Sequence, residues 1–322
     1  MFSGTRWVRA VALLGVGALA LTGCGSKIKS GTSATASHKP CGTVNLADNP
    51  WVGYEADVAV ISYLATNKLG CTVKKQNINE QVSWQGFASG TVDVILENWG
   101  HDDLKKQYID QQKVAVEDGE TGNQGIIGWY IPPWLAQAHP DILDWHNLNK
   151  YADQFKTSES GGKGQFLDGD PSYVTNDDSL VKNLNLNFKV VYAGSEDALI
   201  QAFRTAEQQK KWVIGYFYEP QWFLNEVKLV HIKLPTYTPG CDADAQKVAC
   251  DYQPFDLDKI ASKKFADSGS PAATLIKNFH WTNGDQNDVA RDIAENKMSD
   301  DAAAKKWLDA HPDAWQSWLN GT

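Results

Sequence analysis

Aromatic side chains standing where regular structure should break are the most conspicuous chemical feature of this sequence. The chain holds thirteen Trp and eleven Tyr. Several directly follow β-like runs beside Pro or Gly: Trp51 after Asn49-Pro50, Trp99 before Gly100, Trp129 and Tyr130 in Gly128-Trp129-Tyr130-Ile131-Pro132-Pro133-Trp134, Tyr173 in Gly169-Asp170-Pro171-Ser172-Tyr173, and Tyr216 and Tyr218 before Glu219-Pro220-Gln221-Trp222. Rings in such loops serve a core poorly and a cleft well. A trimethylammonium head has no hydrogen-bond donor, so a protein holds it with electron-rich ring faces, each contributing about 0.5–2 kcal/mol depending on desolvation. Three or four faces together give useful affinity, although any single Trp of this kind is more commonly a packing residue. Trp7, Trp84, Trp145, Trp212, Trp307, Trp315 and Trp318 are assigned instead to the N-terminal segment, core or surface. Strand alternation forbids Trp129 and Tyr130 from facing one side, so both stand as ligand candidates of which one faces the pocket, with Trp129 favoured. The counter-charge leaves two ligand types open. A carboxylate-bearing ligand needs backbone N–H groups, for which the turn before a helix near Asp177 is a candidate. A hydroxylated cation needs a carboxylate such as Asp170, which is equally plausible as a plain turn residue.

The elements that must position these rings alternate. β-like runs at 43–46, 71–76 and 92–96 enclose helical stretches at 54–67 and 82–88, an order that implies parallel strands with helical crossovers. A second series has strands at 125–131, 164–167, 188–192 and 212–216, with helices near 134–138, 177–184 and 195–207. After residue 225 come a strand at 228–232, a cysteine-containing loop and closing helices. In the helix at 299–310, Ser299 can cap, and Asp300 and Asp301 face its positive end. Two α/β series joined by hinges predict two lobes with a cleft, and ligands of open α/β sheets bind beyond the carboxyl ends of strands.

The N-terminus carries Arg6 and Arg9, then an uncharged run at 10–21, the layout of a signal peptide. The run falls short of the roughly 20 apolar residues that span a bilayer. It closes on Leu21-Thr22-Gly23-Cys24, which resembles the lipobox of bacterial lipoproteins. The expectation is a signal peptide at 1–23, lipid on Cys24 and a flexible Ser/Thr-rich tether at 24–40. The net charge of -9 argues against a nucleic-acid partner, which needs a basic face. Assigning Cys24 to lipid leaves four of the five cysteines in an oxidising compartment. Pairing each with its nearest neighbour in sequence predicts disulfides Cys41–Cys71 and Cys241–Cys250, one of three possible connectivities. A zinc site is the rival, disfavoured because no CxxC or His cluster lies nearby.

The segments Asn49-Pro50-Trp51, Glu97-Asn98-Trp99, Gly215 through Tyr218-Glu219-Pro220-Gln221, and the tail Ala302-Ala303-Ala304-Lys305-Lys306-Trp307-Leu308 with Trp318-Leu319 resemble the substrate-binding proteins of glycine betaine, choline and carnitine ABC importers. The resemblance covers nearly all of the chain from Cys41. It implies an α/β, two-lobed type II periplasmic-binding-protein fold with two hinge crossovers, lobe one at 41–125 and 231–322 and lobe two at 126–230. Trp51 and Trp99 match box aromatics of the first lobe. Tyr218 falls where the family usually has Trp before Glu-Pro-His, and Tyr173 falls near a polar contact of choline binders. The family's Trp-Thr-Asp is here Trp51-Val52-Gly53, so an acidic partner is missing. The resemblance further implies a quaternary-amine ligand and an ABC permease as partner; with the lipobox and the absence of metal-ligand motifs, the expectation is a monomer without cofactor or metal, outside the cytoplasm and held to the outer face of the cell membrane by lipid alone.

Two other classes remain to be weighed. A hydrolase would draw on His101-Asp102-Asp103, His139, His146 or Gly194-Ser195-Glu196, yet the sequence has no Gly-x-Ser-x-Gly, His-Glu-x-x-His or P-loop pattern. Ser195 reads better as a helix cap, with Glu196 and Asp197 in the first turn. Gly161-Gly162-Lys163-Gly164 lacks the Ser or Thr that a phosphate loop requires. A sensory or structural lipoprotein would not need an aromatic cleft.

Overall fold

A computed structural model describes residues 40–322. The expected signal peptide, the lipid site Cys24 and the tether up to residue 39 lie outside the described residues. Nine strands form the sheet: β1 (Thr43–Asp48), β2 (Thr72–Asn77), β3 (Val94–Asn98), β4 (Ala115–Ile131), β5 (Gly164–Asp168), β6 (Phe188–Tyr192), β7 (Gly215–Glu219), β8 (Val230–His231) and β9 (Phe255–Ser262). Their order is β2-β1-β3-β9-β4-β7-β5-β6, with β8 on β4. The triplets β2-β1-β3 and β6-β5-β7 are parallel. The helices used below are α1 (Val52–Leu69), α2 (Glu80–Ser89), α3 (Asp177–Asn183), α4 (Glu196–Gln209), α5 (Pro271–Asn278), α6 (Asn283–Ala294) and α7 (Asp300–Ala310).

The parallel triplets follow the predicted alternation, but the strands joining them do not. β4 begins ten residues before the expected start at 125 and pairs antiparallel with β9, β7 and β8. The stretch 115–124 reads as a loop because it holds Gly119, Gly122 and six polar or acidic residues. Those two glycines adopt φ of 90° and 88°, and the β4–β9 register shifts across them, so β-bulges absorb what sequence reads as a turn. β9 was expected to be loop or helix. Its charges Asp256, Asp258 and Lys259 hide the strand pattern, yet Lys259 is buried and donates to Lys277 O at 3.2 Å. The last strand of the second triplet is β7 at 215–219, three residues later than expected.

Helix α1 buries residues all round rather than on one stripe, which fits a helix sandwiched between the sheet and α5, α6 and α7. Helix α4 is amphipathic, burying Leu199, Ile200, Phe203 and Ala206, and Ser195 accepts Ala198 N–H at 3.2 Å as its cap. Among the described residues, no helix is long and apolar enough to cross a membrane.

Disulfides join Cys41 to Cys71 and Cys241 to Cys250. The first ties the start of β1 to the start of β2. The second closes a loop within 235–254 that is fastened to α3: Ser179 Oγ donates to Ala245 O, and Asn183 Nδ2 donates to Gln246 O at 3.1 Å and Val248 O at 2.8 Å.

Candidate functional site

A cavity of about 650 Å³ lies at the carboxyl ends of β1, β3 and β7 and under the Cys241–Cys250 loop. Trp51, Trp99, Tyr173, Tyr216 and Tyr218 all face it. The rings meet in sequence around it: Trp51 to Tyr173 at 5.9 Å between centroids, Tyr173 to Tyr216 at 6.0 Å, Tyr216 to Tyr218 at 5.9 Å, and Tyr218 to Trp99 at 5.7 Å. Two of these contacts are near-perpendicular, the edge-to-face arrangement that leaves a ring face free. Tyr216 and Tyr218 share a side because they are two residues apart on β7. Trp99 lies close against β4 at Gly125, where a Cβ would come within 2.7 Å of its ring. Burial pushes the hydroxyls of Tyr173, Tyr216 and Tyr218 well above the usual phenol range, so these rings stay neutral.

Glu97, two residues before Trp99 on β3, completes the circuit from behind. Its Oε1 accepts the indole N–H of both Trp51 and Trp99, each at 2.7 Å, and its other oxygen accepts Gln286 Nε2. One carboxylate therefore fixes two ring planes. Burial raises Glu97, and the hydrogen bonds it accepts oppose that shift. Its neighbour Asp57 is pushed well above the usual carboxylate range, by burial first and by the Glu97 charge second. A second carboxylate, Glu196 at the start of α4, accepts Val52 N–H at 2.8 Å, Gln221 Nε2 at 3.0 Å and the Tyr218 hydroxyl. Tyr173 donates to Pro50 O at 3.0 Å. The segment 50–52 is thus held from the opposite wall by both Tyr173 and Glu196.

The far wall is polar. His101 Nε2 pairs with Glu80 Oε1 at 2.9 Å beside Asp102, Asp103, Lys106 and Asp242. Burial, the largest single effect, lowers the His101 pKa, but the Glu80 charge and hydrogen bond together with the Asp103 and Asp258 charges outweigh it and the net shift is upward.

Three predicted ligand contacts do not reach the cavity wall. Trp129 stands opposite Tyr216 in the β4–β7 ladder, hence on the same face, but its indole donates to Asp177 at 2.6 Å and packs on Phe166 at 4.3 Å, sealed beneath α3. Tyr130 points the other way, 4.9 Å from His231 and 6.2 Å from Phe217. Asp170 closes an Asx turn instead, accepting Ser172 N–H at 2.8 Å and Ser172 Oγ at 2.6 Å. Sequence reasoning counted Tyr216 among the strand-end rings without assigning it a ligand contact, and overlooked Glu97, Glu196 and the loop's Tyr237 and Tyr252. Alternation with Tyr218 signals Tyr216, and an acid two residues before a strand-end Trp signals Glu97. Nothing in the sequence points to the loop residues. Among the described residues, no group of three or more His, Cys, Asp or Glu is arranged to hold a metal ion.

An α/β sheet with a ring-walled cavity beyond its strand ends defines a solute-binding protein. The family described as OpuAC, the substrate binding domain of the ABC-type glycine betaine transport system, matches residues 42–310, and the chain belongs to that family. The trimethylamine N-oxide-binding protein of Pelagibacter ubique (strain HTCC1062) is 27% identical over 258 residues, covering 77% of this chain and 81% of that one. Among solved structures, an ABC-transporter choline binding protein in complex with choline is similar with a TM-score of 0.70 at 18% identity, covering 88% of this chain and 93% of that chain. The glycine betaine, L-proline-binding protein (ProX) from Borrelia burgdorferi is similar with a TM-score of 0.68 at 13% identity, covering 87% and 99%. At these identities the structural likenesses show the periplasmic-binding-protein fold. The chain is a substrate-binding component of an ABC-type transport system, a class that works outside the cytoplasm.

Proposed function

We propose that this chain captures a quaternary-ammonium compound in the cage of Trp51, Trp99, Tyr173, Tyr216 and Tyr218 and presents it to an ABC permease without chemical conversion. The carrying observation is the ring circuit: five neutral rings surround a space that offers a cation faces rather than donors. Segments 41–125 and 231–322 act as one lobe and 126–230 as the other, with the ligand bridging them. Closure desolvates the cation, and affinity reflects the difference between the closed bound and open empty states. Lipid on Cys24 holds the monomer at the outer face of the cell membrane, within reach of the permease.

Calorimetric titration with choline, glycine betaine, carnitine and trimethylamine N-oxide tests the reading. Binding of at least one is expected, weakened about 2- to 30-fold by Trp51→Ala or Trp99→Ala, the range that about 0.5–2 kcal/mol per ring face implies. Absence of heat with all four on folded protein would reject it. Labelled fatty acid incorporated by the full chain, and lost in Cys24→Ser, tests the anchor.

A further inference from the structure

We infer that Glu196 is the specificity-determining residue of the cage, selecting methylammonium ligands that carry no carboxylate of their own. The inference rests on the proposed quaternary-amine reading and narrows it.

Helix α1 begins directly after Trp51, which occupies the N-cap position without a side-chain capping bond. A helix start presents free N–H groups and a positive dipole end, so it favours an anion. Beside a cage for a cationic head, it is the natural berth for the carboxylate of a zwitterionic ligand. Here the protein fills it with its own: Glu196, buried behind Tyr218, accepts Val52 N–H, the first of α1, at 2.8 Å. The other Glu196 oxygen takes the Tyr218 hydroxyl and Gln221 Nε2.

The second strand of the argument is charge. Glu196 stands behind Tyr218, and Glu97 stands behind Trp51 and Trp99; both are buried. Besides the Asp57 carboxyl that hydrogen-bonds Glu97, the donors to these two carboxylates are neutral: two indoles, two amide side chains, a phenol and a backbone N–H. Burial raises the pKa of both, and among the described residues no ion pair reaches either carboxylate. Buried charge without a counter-ion is costly, and a cation entering the cage relieves that cost. A ligand with its own carboxylate returns a negative charge to the same low-dielectric space. The polar wall does not offset this, since it sets Glu80, Asp102, Asp103 and Asp242 against Lys106 and a His101 already paired with Glu80.

Choline and glycine betaine make a matched pair, sharing the trimethylammonium head and differing in a hydroxymethyl against a carboxylate. Calorimetry on the wild-type protein is expected to give choline at least about a tenfold lower Kd, equivalent to about 1.4 kcal/mol. Glu196→Gln keeps one carbonyl oxygen to accept Val52 N–H, turns an amide NH2 toward the Tyr218 hydroxyl oxygen, and removes the charge. It is expected to weaken choline and shrink the choline-to-betaine ratio about tenfold, whereas a merely structural role would lower both affinities together. A wild-type ratio below tenfold, or a ratio unchanged in a folded Glu196→Gln variant, overturns the assignment while leaving the cage reading intact. If the variant does not fold, the wild-type ratio alone decides. Silence with both ligands and with the two other amines overturns the cage reading and this assignment together.

Discussion

Glu97 touches no open face of the cage, yet it sets the planes of Trp51 and Trp99 through one shared oxygen. Replacing it with Gln removes the charge while keeping an acceptor. Glu97→Gln is expected to raise the Kd for a methylammonium ligand about tenfold, the scale of a charge-assisted hydrogen bond against a neutral one. Titration calorimetry on wild type and variant measures this, and unchanged affinity would show that the indoles hold their planes without the charge. Trp129 belongs to a different economy of contacts. Trp129→Phe leaves the buried Asp177 short of one donor, with only the Tyr252 hydroxyl remaining at 2.8 Å. A loss of about 1–3 kcal/mol in urea unfolding is expected, with ligand affinity within about threefold of wild type. Sequence named Trp99 and Trp129 from one signal, a Trp beside a strand end. Only the depth of each within its layer separates a wall ring from a packing ring.

At the scale of elements, the Cys241–Cys250 loop does most to close the cavity from above, bringing Tyr237, Asp242 and Tyr252 to the wall. It is anchored through its backbone carbonyls to Ser179 and Asn183 of α3. Carbonyl anchoring needs a fixed loop shape, and the disulfide supplies it. Cys241→Ser with Cys250→Ser is expected to lower ligand affinity about tenfold and stability by at most about 3 kcal/mol, the chain-entropy value for so short a loop. Calorimetry and thermal melts separate the two effects. This loop and the antiparallel strands β4 and β9 were the least legible elements. A loop has no periodicity to read, and in β4 and β9 glycine-bearing bulges and buried charges mask the two-residue pattern. The parallel triplets were legible because short apolar runs between amphipathic stretches admit few other arrangements.

Across the whole molecule, several buried or half-buried acids hold their protons more tightly than an unfolded chain would. Burial raises Asp48 to about 6, Glu55 to about 7 and Asp168 to about 6. Because their folded values exceed the unfolded ones, the stability they contribute is fully present below the ordinary carboxylate range and is lost as pH rises through 6 to 7. His101, also shifted upward, acts in the same direction. The melting temperature in the absence of ligand is therefore expected to fall between pH 5 and pH 8 (~) by differential scanning calorimetry; a rise over that interval would contradict the burial of these groups. Added ligand should raise it in proportion to the logarithm of ligand concentration over Kd.

The sequence by itself determined the supply of rings, their places after strands, the two parallel β-α-β series and the cysteines available to pair, because these depend on local spacing and composition. Tertiary structure decided which rings meet. Trp51 and Tyr173 lie more than a hundred positions apart, and their contact exists only because α1 and the turn after β5 converge on one cavity. It also decided that the acid at the cage comes from Glu196 at the start of α4 and Glu97 within β3, rather than from the loop after Trp51 or from Asp170. A carboxylate's role depends on which donors surround it and how far it is withdrawn from water, and neither is written in the order of residues.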